Sequence, residues 1–272
     1  LFHFGLLHSS RIRKRFSADD EPLTNDWWGL HAGDDVDARD ARKPKDLDMR
    51  HGVELTTCYI TTRDGVKLAT DVWIPKKALE KKGRLPVIFH QARYYRSATL
   101  RWPFNLVVNG GKPISFINDP FFKSFLSYDM ILVSVDVRGT GASFGEHPGP
   151  WSPEEQQDSL EVLDWIDRQP WSSGKVGLWG VSYEGTSAFF TSLLRHPTVV
   201  CCCPMFFFWE VYDDISHPGG IPMRHFSVSW QGFNDSLDSG WVQSTGWMAR
   251  IFLEGVSPVR TEDPWGYQAK QA

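Results

Sequence analysis

One serine in this sequence stands where a hydroxyl group can act as a nucleophile. The segment Gly180-Val-Ser-Tyr-Glu-Gly185 lies between an apolar run at residues 175–179 and a helical pattern at residues 182–195. A serine in so tight a turn projects its hydroxyl from the edge of a sheet, and the backbone N–H of the next residue faces the same point. These features predict Ser182 as a nucleophile and the N–H of Tyr183 as an oxyanion donor; an ordinary turn serine is the alternative.

The motif departs from the strict Gly-x-Ser-x-Gly pattern at one position. Glu184 stands where the pattern has glycine, and the glycine follows one place later. The prediction therefore depends on the strand, turn and helix that surround the serine, because the motif alone does not distinguish a nucleophile from a turn residue.

The elements that would position this serine alternate between strand and helix. Two runs of β-forming residues flank Thr62-Arg-Asp-Gly65, and Asp-Gly is a strong hairpin signal. Ser152 and Glu155 have the spacing of a capping box, with Pro153 at the first helical position. The sequence predicts strands at residues 53–61, 66–74, 85–90, 130–137, 175–179 and 199–203, and helices at residues 152–169 and 182–195.

This order of elements predicts an α/β fold, in which an antiparallel hairpin precedes parallel strands joined by crossover helices. Residues 1–52 are dense in charge and predict a surface extension, whereas residues 53–208 carry the sheet. From residue 209 to 272 the composition shifts to Gly, Ser, Trp and Asp, which indicates an insertion above the sheet. The consecutive cysteines Cys201, Cys202 and Cys203 are predicted to be buried thiols on the last strand.

Composition excludes several classes of protein. With 272 residues, 41% hydrophobic and 23% charged, the chain is typical of a globular protein with one large core. A net charge of −4 is too small to predict binding to nucleic acid or to an anionic membrane, and no apolar run has the length of a membrane span. We expect a soluble protein, with the cytoplasm as the favoured compartment. Because the chain begins with Leu1 rather than Met, we also expect a fragment or a processed product.

No pattern predicts a cofactor or a metal ion. Gly139-Thr-Gly141 does not continue as a dinucleotide-binding fingerprint, since position 144 is Phe144. His217 and His225 lack the spacing of metal ligands, and the three consecutive cysteines lack the paired spacing of a zinc site.

Three further residues have structural roles in this interpretation. Asp136 and Arg138 follow a buried strand, and we expect them to organise the loop after it rather than to act on a substrate. His196 is expected in the last turn of a helix, where a cation interacts favourably with the helix dipole.

Three segments together carry a resemblance to a known family. They are Thr62-Arg-Asp-Gly-Val-Lys-Leu68, Asp136-Val-Arg-Gly-Thr-Gly-Ala-Ser143 and the Gly-x-Ser-Tyr-x-Gly motif at residues 180–185. From about residue 53 to residue 226 the chain resembles the Xaa-Pro dipeptidyl-peptidase-like (S15) and CocE/NonD hydrolases, which include cocaine-esterase-like enzymes. The resemblance implies an α/β-hydrolase fold, incomplete in this chain, with residues 209–272 as the start of a helical cap. It also implies a serine hydrolase that cleaves esters, amides or short peptides.

The resemblance further implies a tyrosine hydroxyl just after the third strand as a second oxyanion donor. That strand continues into Gln91-Ala-Arg-Tyr-Tyr95, which makes Tyr94 the preferred candidate. The family usually has proline before this tyrosine, but this chain has Arg93, so Tyr95 remains an alternative. A tyrosine that only packs against a loop is the other interpretation.

An acidic cluster follows the last predicted strand. Glu210, Asp213 and Asp214 could line the acyl pocket and attract the free amino group of a substrate. The alternative is a solvated loop or the start of a helix.

The order of catalytic residues predicts that this chain lacks part of a catalytic triad. In α/β-hydrolases the acid and then the histidine follow the serine along the chain. The histidines after Ser182 are His196, His217 and His225, and none of them follows a predicted strand that returns to the serine. We therefore expect the 272 residues alone to be inactive. The hypothesis from a different class is a non-catalytic chain on the same scaffold, serving at most as a binding module.

Overall fold

The computed structural model describes residues 52–100, 114–115, 120–239 and 256–258. The predicted charged extension therefore lies outside the described residues, apart from residue 52. The strands are β1 (Val53–Thr61), β2 (Lys67–Pro75), β3 (Leu85–Ala92), β4 (Ser97–Leu100), β5 (Ile114–Ser115), β6 (Ile131–Asp136), β7 (Ser172–Val181), β8 (Val199–Met205) and β9 (Val256–Pro258). The helices are α1 (Lys76–Lys82), α2 (Pro120–Ser127), α3 (Pro153–Asp167), α4 (Tyr183–Leu193) and α5 (Arg224–Ser239).

A six-stranded sheet in the order β1-β2-β6-β3-β7-β8 forms the centre of the described structure. The hairpin β1/β2 is antiparallel, and β2 pairs antiparallel with β6, whereas β6, β3, β7 and β8 run parallel. Helices α3 and α4 connect β6 to β7 and β7 to β8. The predicted α/β fold, an antiparallel hairpin followed by parallel strands with crossover helices, is confirmed.

Apolar side chains cover both faces of this sheet. On one face α3 packs Val162, Leu163 and Ile166 against the strands, in a cluster with Val133 of β6. On the other face a second cluster includes Leu132, the neighbour of Val133, together with residues of α2. Adjacent residues of a strand point to opposite faces, so β6 contributes Leu132 to one core and Val133 to the other.

The prediction of buried thiols on the last strand is wrong. Cys201 and Cys202 are partly buried and Cys203 is exposed. The reason is the position of β8 at the edge of the described sheet, where only β7 pairs with it. An edge strand is covered less completely than the central strands, which the apolar run in the sequence does not reveal.

Residues 209–239 lie after the last strand of the sheet and are partly helical. A π-helical turn at Tyr212–Ser216 and a 3₁₀ turn at Pro218–Gly220 precede α5. The predicted domain boundaries at residues 53, 209 and 272 remain predictions. Within the described ranges, no helix is both long and apolar enough to cross a membrane.

Candidate active site

Ser182 occupies a strained turn between β7 and α4. Its backbone has φ 58° and ψ −119°, a conformation that non-glycine residues rarely adopt and that costs about 1–3 kcal/mol. The Ser182 N–H donates to the carbonyl of Met205 on β8 at 2.9 Å, and the Ser182 carbonyl accepts from the N–H of Thr186 at 2.9 Å. The backbone thus turns sharply from strand to helix at the serine, as a nucleophile elbow requires.

Two glycines permit this turn. A Cβ atom on Gly180 would lie 2.3 Å from the backbone of Glu184, and one on Gly185 would lie 2.5 Å from the carbonyl oxygen of Met205. The second glycine is therefore needed at position 185, against β8. Position 184 accepts a side chain, and the Glu184 carboxylate lies 3.6 Å from Nε2 of the buried His90. The close approach to β8 thus falls at position 185 and not at 184, which fits the departure from the strict motif.

A cavity of about 440 Å³ opens at Ser182. Its walls come from the elbow, the loop before α3, the segment after β8 and the first half of α5. Every described residue that lines it is uncharged; they are Tyr94, Pro150, Trp151, Ser182, Tyr183, Phe208, Val211, Ile215, Ser216, Phe226, Ser227, Trp230 and Gln231. A mostly apolar pocket with a few convergent polar groups is typical of small-molecule sites.

The two candidate tyrosines after β3 have different surroundings. Tyr94 lines the cavity with Ser182, and its hydroxyl oxygen accepts a hydrogen bond from Trp230 Nε1 at 3.0 Å. Burial raises the pKa of Tyr94, so its hydroxyl keeps its proton at neutral pH. The hydroxyl of Tyr95 is buried and donates to the carbonyl of Leu237. The geometry therefore favours Tyr94 over Tyr95 as an oxyanion donor.

The segment that carries Tyr94 is fastened to α5 on either side of that residue. Arg93 makes two hydrogen bonds to the carboxylate of Asp238, at 3.0 and 2.9 Å, and Tyr95 contacts Leu237. Tyr94 contacts Trp230 of α5, so Arg93, Tyr94 and Tyr95 all bind this helix. Arg93, which replaces the proline expected from the family pattern, thus connects the tyrosine segment to α5.

The expected structural roles of Asp136 and Arg138 agree with their contacts. The buried Asp136 carboxylate accepts from the backbone N–H and from Nη1 of Arg96, at 2.7 and 2.9 Å. Arg96 also donates through Nε to Asp71 at 2.9 Å, and burial raises the pKa of Asp71 to about 6. Arg138 pairs with Asp158 of α3. These ion pairs fix the loops that follow β3 and β6.

The acidic cluster after β8 does not line the cavity. Asp214 accepts hydrogen bonds from the N–H groups of Trp209 and Glu210, and Glu210 accepts from the N–H of Asp213. All three carboxylates are on exposed residues. The carboxylates of Glu210 and Asp214 therefore cap their own turn, as N-terminal acidic residues commonly do, and none of the three acidic residues is among the described residues that line the cavity.

The histidines downstream of Ser182 make contacts elsewhere. His196, which follows α4 instead of lying in its last turn, contacts Asp164 and Thr198. His217 contacts Ser216 and stacks on Tyr212 with ring centroids 4.4 Å apart, and His225 is exposed. None of these contacts involves Ser182, whose own hydrogen bonds within the described residues are made by its backbone.

Comparison with known proteins gives the family. The model of the X-Pro dipeptidyl-peptidase (S15) family matches residues 64–246, which is more than half of the chain. The chain belongs to the S15 family. A Mycobacterium bovis protein provisionally named a serine esterase is 42% identical over 214 residues, which are 78% of this chain and 34% of that protein. The cocaine esterase of a Rhodococcus strain is 29% identical over 128 residues, 47% of this chain and 19% of the enzyme.

Solved structures support the same fold for this S15 chain. A CocE/NonD family hydrolase from Staphylococcus aureus superposes with a TM-score of 0.53 and 22% identity. The superposition covers 77% of this chain and 39% of that structure. The similarity confirms the α/β-hydrolase fold expected from the sequence. The S15 chain spans about a third of the length of the first two curated relatives.

A buried carboxylate beneath the elbow of the S15 chain was not singled out as a site residue from the sequence. Glu155 is 3% exposed, and its side chain accepts hydrogen bonds from the hydroxyl of Tyr183 at 2.7 Å and from the N–H of Trp151 at 3.0 Å. The predicted capping contact also forms, since Ser152 Oγ accepts from the Glu155 N–H at 3.3 Å. The capping box is already a sufficient reason for a glutamate at position 155. The sequence therefore does not indicate that Glu155 also contacts Tyr183.

The described residues offer no arrangement for a metal ion. No group of three or more His, Cys, Asp or Glu side chains within these ranges is placed to hold one.

Proposed function

We propose that this chain forms part of a serine hydrolase that cleaves esters or amides through an acyl-enzyme. Ser182 attacks the carbonyl carbon, and the N–H of Tyr183 and the hydroxyl of Tyr94 stabilise the oxyanion that forms. The observation that carries the proposal is the strained conformation of Ser182 at the mouth of a cavity that Tyr94 also lines. Membership of a hydrolase family supports it.

The cavity supports a substrate with an uncharged acyl group. Its described walls contain no acidic or basic side chain, and a free ammonium group placed there would lose hydration without gaining a counter-charge. Of the acidic residues predicted as an amine site, Glu210 and Asp214 cap their own turn, and Asp213 is exposed. The name of the relative, provisionally a serine esterase, also favours an ester as the substrate over a peptide with a free amino terminus.

The proposed reaction also needs a general base. Without a positioned imidazole the serine hydroxyl stays protonated at neutral pH and is a poor nucleophile. His196 and His217 make their contacts elsewhere, His225 is exposed, and no histidine follows His225 in the sequence. We therefore propose that these 272 residues bind substrate but turn it over only as part of a protein that supplies the imidazole.

The test uses the protein expressed from the complete reading frame that contains this chain. Hydrolysis of p-nitrophenyl esters and labelling by a fluorophosphonate are measured for the wild type, for Ser182→Ala and for the control Ser192→Ala. Ser192 lies on the same helix and donates to the carbonyl of Phe189 at 2.6 Å. We expect Ser182→Ala to abolish both signals and Ser192→Ala to keep them. Turnover retained in Ser182→Ala would exclude the assignment, whereas ester binding without labelling of the wild type would favour the non-catalytic binding module.

A further inference from the structure

The side chain of Tyr183 is held more firmly than an oxyanion donor strictly requires. The residue contributes its backbone N–H to the proposed reaction, yet its ring is 1% exposed and its hydroxyl reaches into the protein. That hydroxyl donates to Glu155 Oε2 at 2.7 Å, and Nε2 of His147 lies 3.2 Å from the hydroxyl oxygen. The contact with Glu155 joins the first residue of α4 to the first turn of α3.

Trp151 also holds Tyr183, through the ring and the backbone of that residue. Its ring stacks on the ring of Tyr183 with centroids 4.5 Å apart, and its Nε1 donates to the Tyr183 carbonyl at 3.1 Å. The Trp151 N–H donates to Glu155 at 3.0 Å, and the hydroxyl of Ser187 donates to the other oxygen of Glu155 at 3.2 Å. Glu155 thus holds Trp151, Tyr183 and Ser187 at once, and Trp151 in turn fixes the backbone of Tyr183.

We propose that Glu155 is a positioning residue of the nucleophile elbow, which acts through the hydroxyl of Tyr183 to keep the N–H of Tyr183 directed at the oxyanion. The inference rests on the proposed hydrolase function. Its physical basis is the strain at Ser182, because a residue with φ 58° keeps that conformation only if its neighbours are fixed. The hydrogen bond from the Ser182 N–H to Met205 fixes one side of the serine, and Glu155 fixes the other.

Among the residues that the structure describes, no cationic side chain pairs directly with Glu155. Burial lowers the pKa of His147 to about 4, so this imidazole is neutral near pH 7 although it lies 3.8 Å from Glu155. Arg93 contributes a favourable charge, but its guanidinium hydrogen bonds go to Asp238. The carboxylate of Glu155 is therefore stabilised mainly by the hydroxyl and N–H donors around it.

The first test separates positioning from folding by enzyme kinetics in the protein from the complete reading frame. Glu155→Leu keeps the side-chain volume and removes the acceptor, and we expect kcat to fall by about 10²-fold with KM changed by less than about threefold. Glu155→Gln keeps an acceptor for the Tyr183 hydroxyl and should restore kcat to within about tenfold of the wild type. Glu161→Gln, on the same helix but bonded to Arg63, is the matched control and should behave as the wild type. Equal kcat in the wild type and Glu155→Leu would overturn the proposal.

The second test does not require turnover and so distinguishes this proposal from the proposed function. Amide hydrogen exchange is followed at Ser182 and Thr186, whose N–H groups bond to Met205 and Ser182. We expect exchange at both amides to be at least about tenfold faster in Glu155→Leu than in Glu155→Gln. Unchanged exchange would overturn the positioning role even if no variant hydrolyses an ester. A different result would be faster amide exchange in Glu155→Leu together with ester turnover that does not depend on Ser182. That result would overturn the proposed function, but it would support the role of Glu155 in holding the elbow.

Discussion

The buried carboxylate of Glu155 predicts a specific dependence of stability on pH. Burial raises its pKa from the ordinary 4.5 to about 7, and the donors from Tyr183, Trp151 and Ser187 offset only part of that rise. Between these two values the folded state binds more protons than the unfolded state, so the free energy of unfolding falls as the pH rises. The full effect is about 3 kcal/mol, of which about 2.5 kcal/mol develops between pH 5 and pH 8.

Glu155→Gln removes this titration and keeps the side-chain shape. Urea unfolding of the chain, followed by tryptophan fluorescence at about pH 5 and pH 8 in the same salt, gives the free energy of unfolding of each variant. We expect the wild type to lose about 2.5 kcal/mol more than Glu155→Gln over this interval. Glu161→Gln should follow the wild type. Parallel pH dependences in the wild type and Glu155→Gln would refute the reasoning, because they would show that Glu155 has the same pKa in both states.

Further predictions concern the oxyanion side of the cavity and the isolated chain. In the complete protein, Tyr94→Phe should lower kcat by about 10²-fold, whereas Tyr95→Phe should act mainly on the unfolding midpoint; the reverse result would show that Tyr95 is the donor. Trp230→Phe removes the N–H that orients the Tyr94 hydroxyl and should lower kcat roughly five- to tenfold at similar KM, measured by steady-state kinetics. The 272-residue chain alone should show no ester turnover that depends on Ser182, and turnover lost in Ser182→Ala would contradict this.

Much of the fold was predictable because its signals are local. The Asp-Gly turn of the hairpin, the apolar runs of the parallel strands and the Ser152 cap each act within about ten residues, and the structure contains each of them. The place of Ser182 was also predictable, since its strand, turn and helix are contiguous.

What the sequence did not reveal depends on contacts between distant residues. The different partners of Tyr94 and Tyr95 lie on α5, more than 130 positions away, and the contact of Glu155 with Tyr183 follows from the packing of α3 against α4. The exposure of Cys203 follows from the order of strands in the sheet, which periodicity does not encode. Each of these features required the tertiary arrangement as well as the local pattern.

The attachment of Arg93 to Asp238 has a consequence for the order of folding. The elbow and the side chains that hold it come from residues 151–205, whereas the contacts of Arg93, Tyr94 and Tyr95 with α5 close loops of 145, 136 and 142 residues. Closing such loops costs conformational entropy, which is lost before the contacts that offset it have formed. Contacts between residues distant in sequence therefore form slowly. We therefore expect the serine turn to gain protection early during refolding and the tyrosine that faces it to be fixed only when α5 docks. A nascent chain that has emerged only as far as residue 205 would then carry a formed elbow without its tyrosine partner in place.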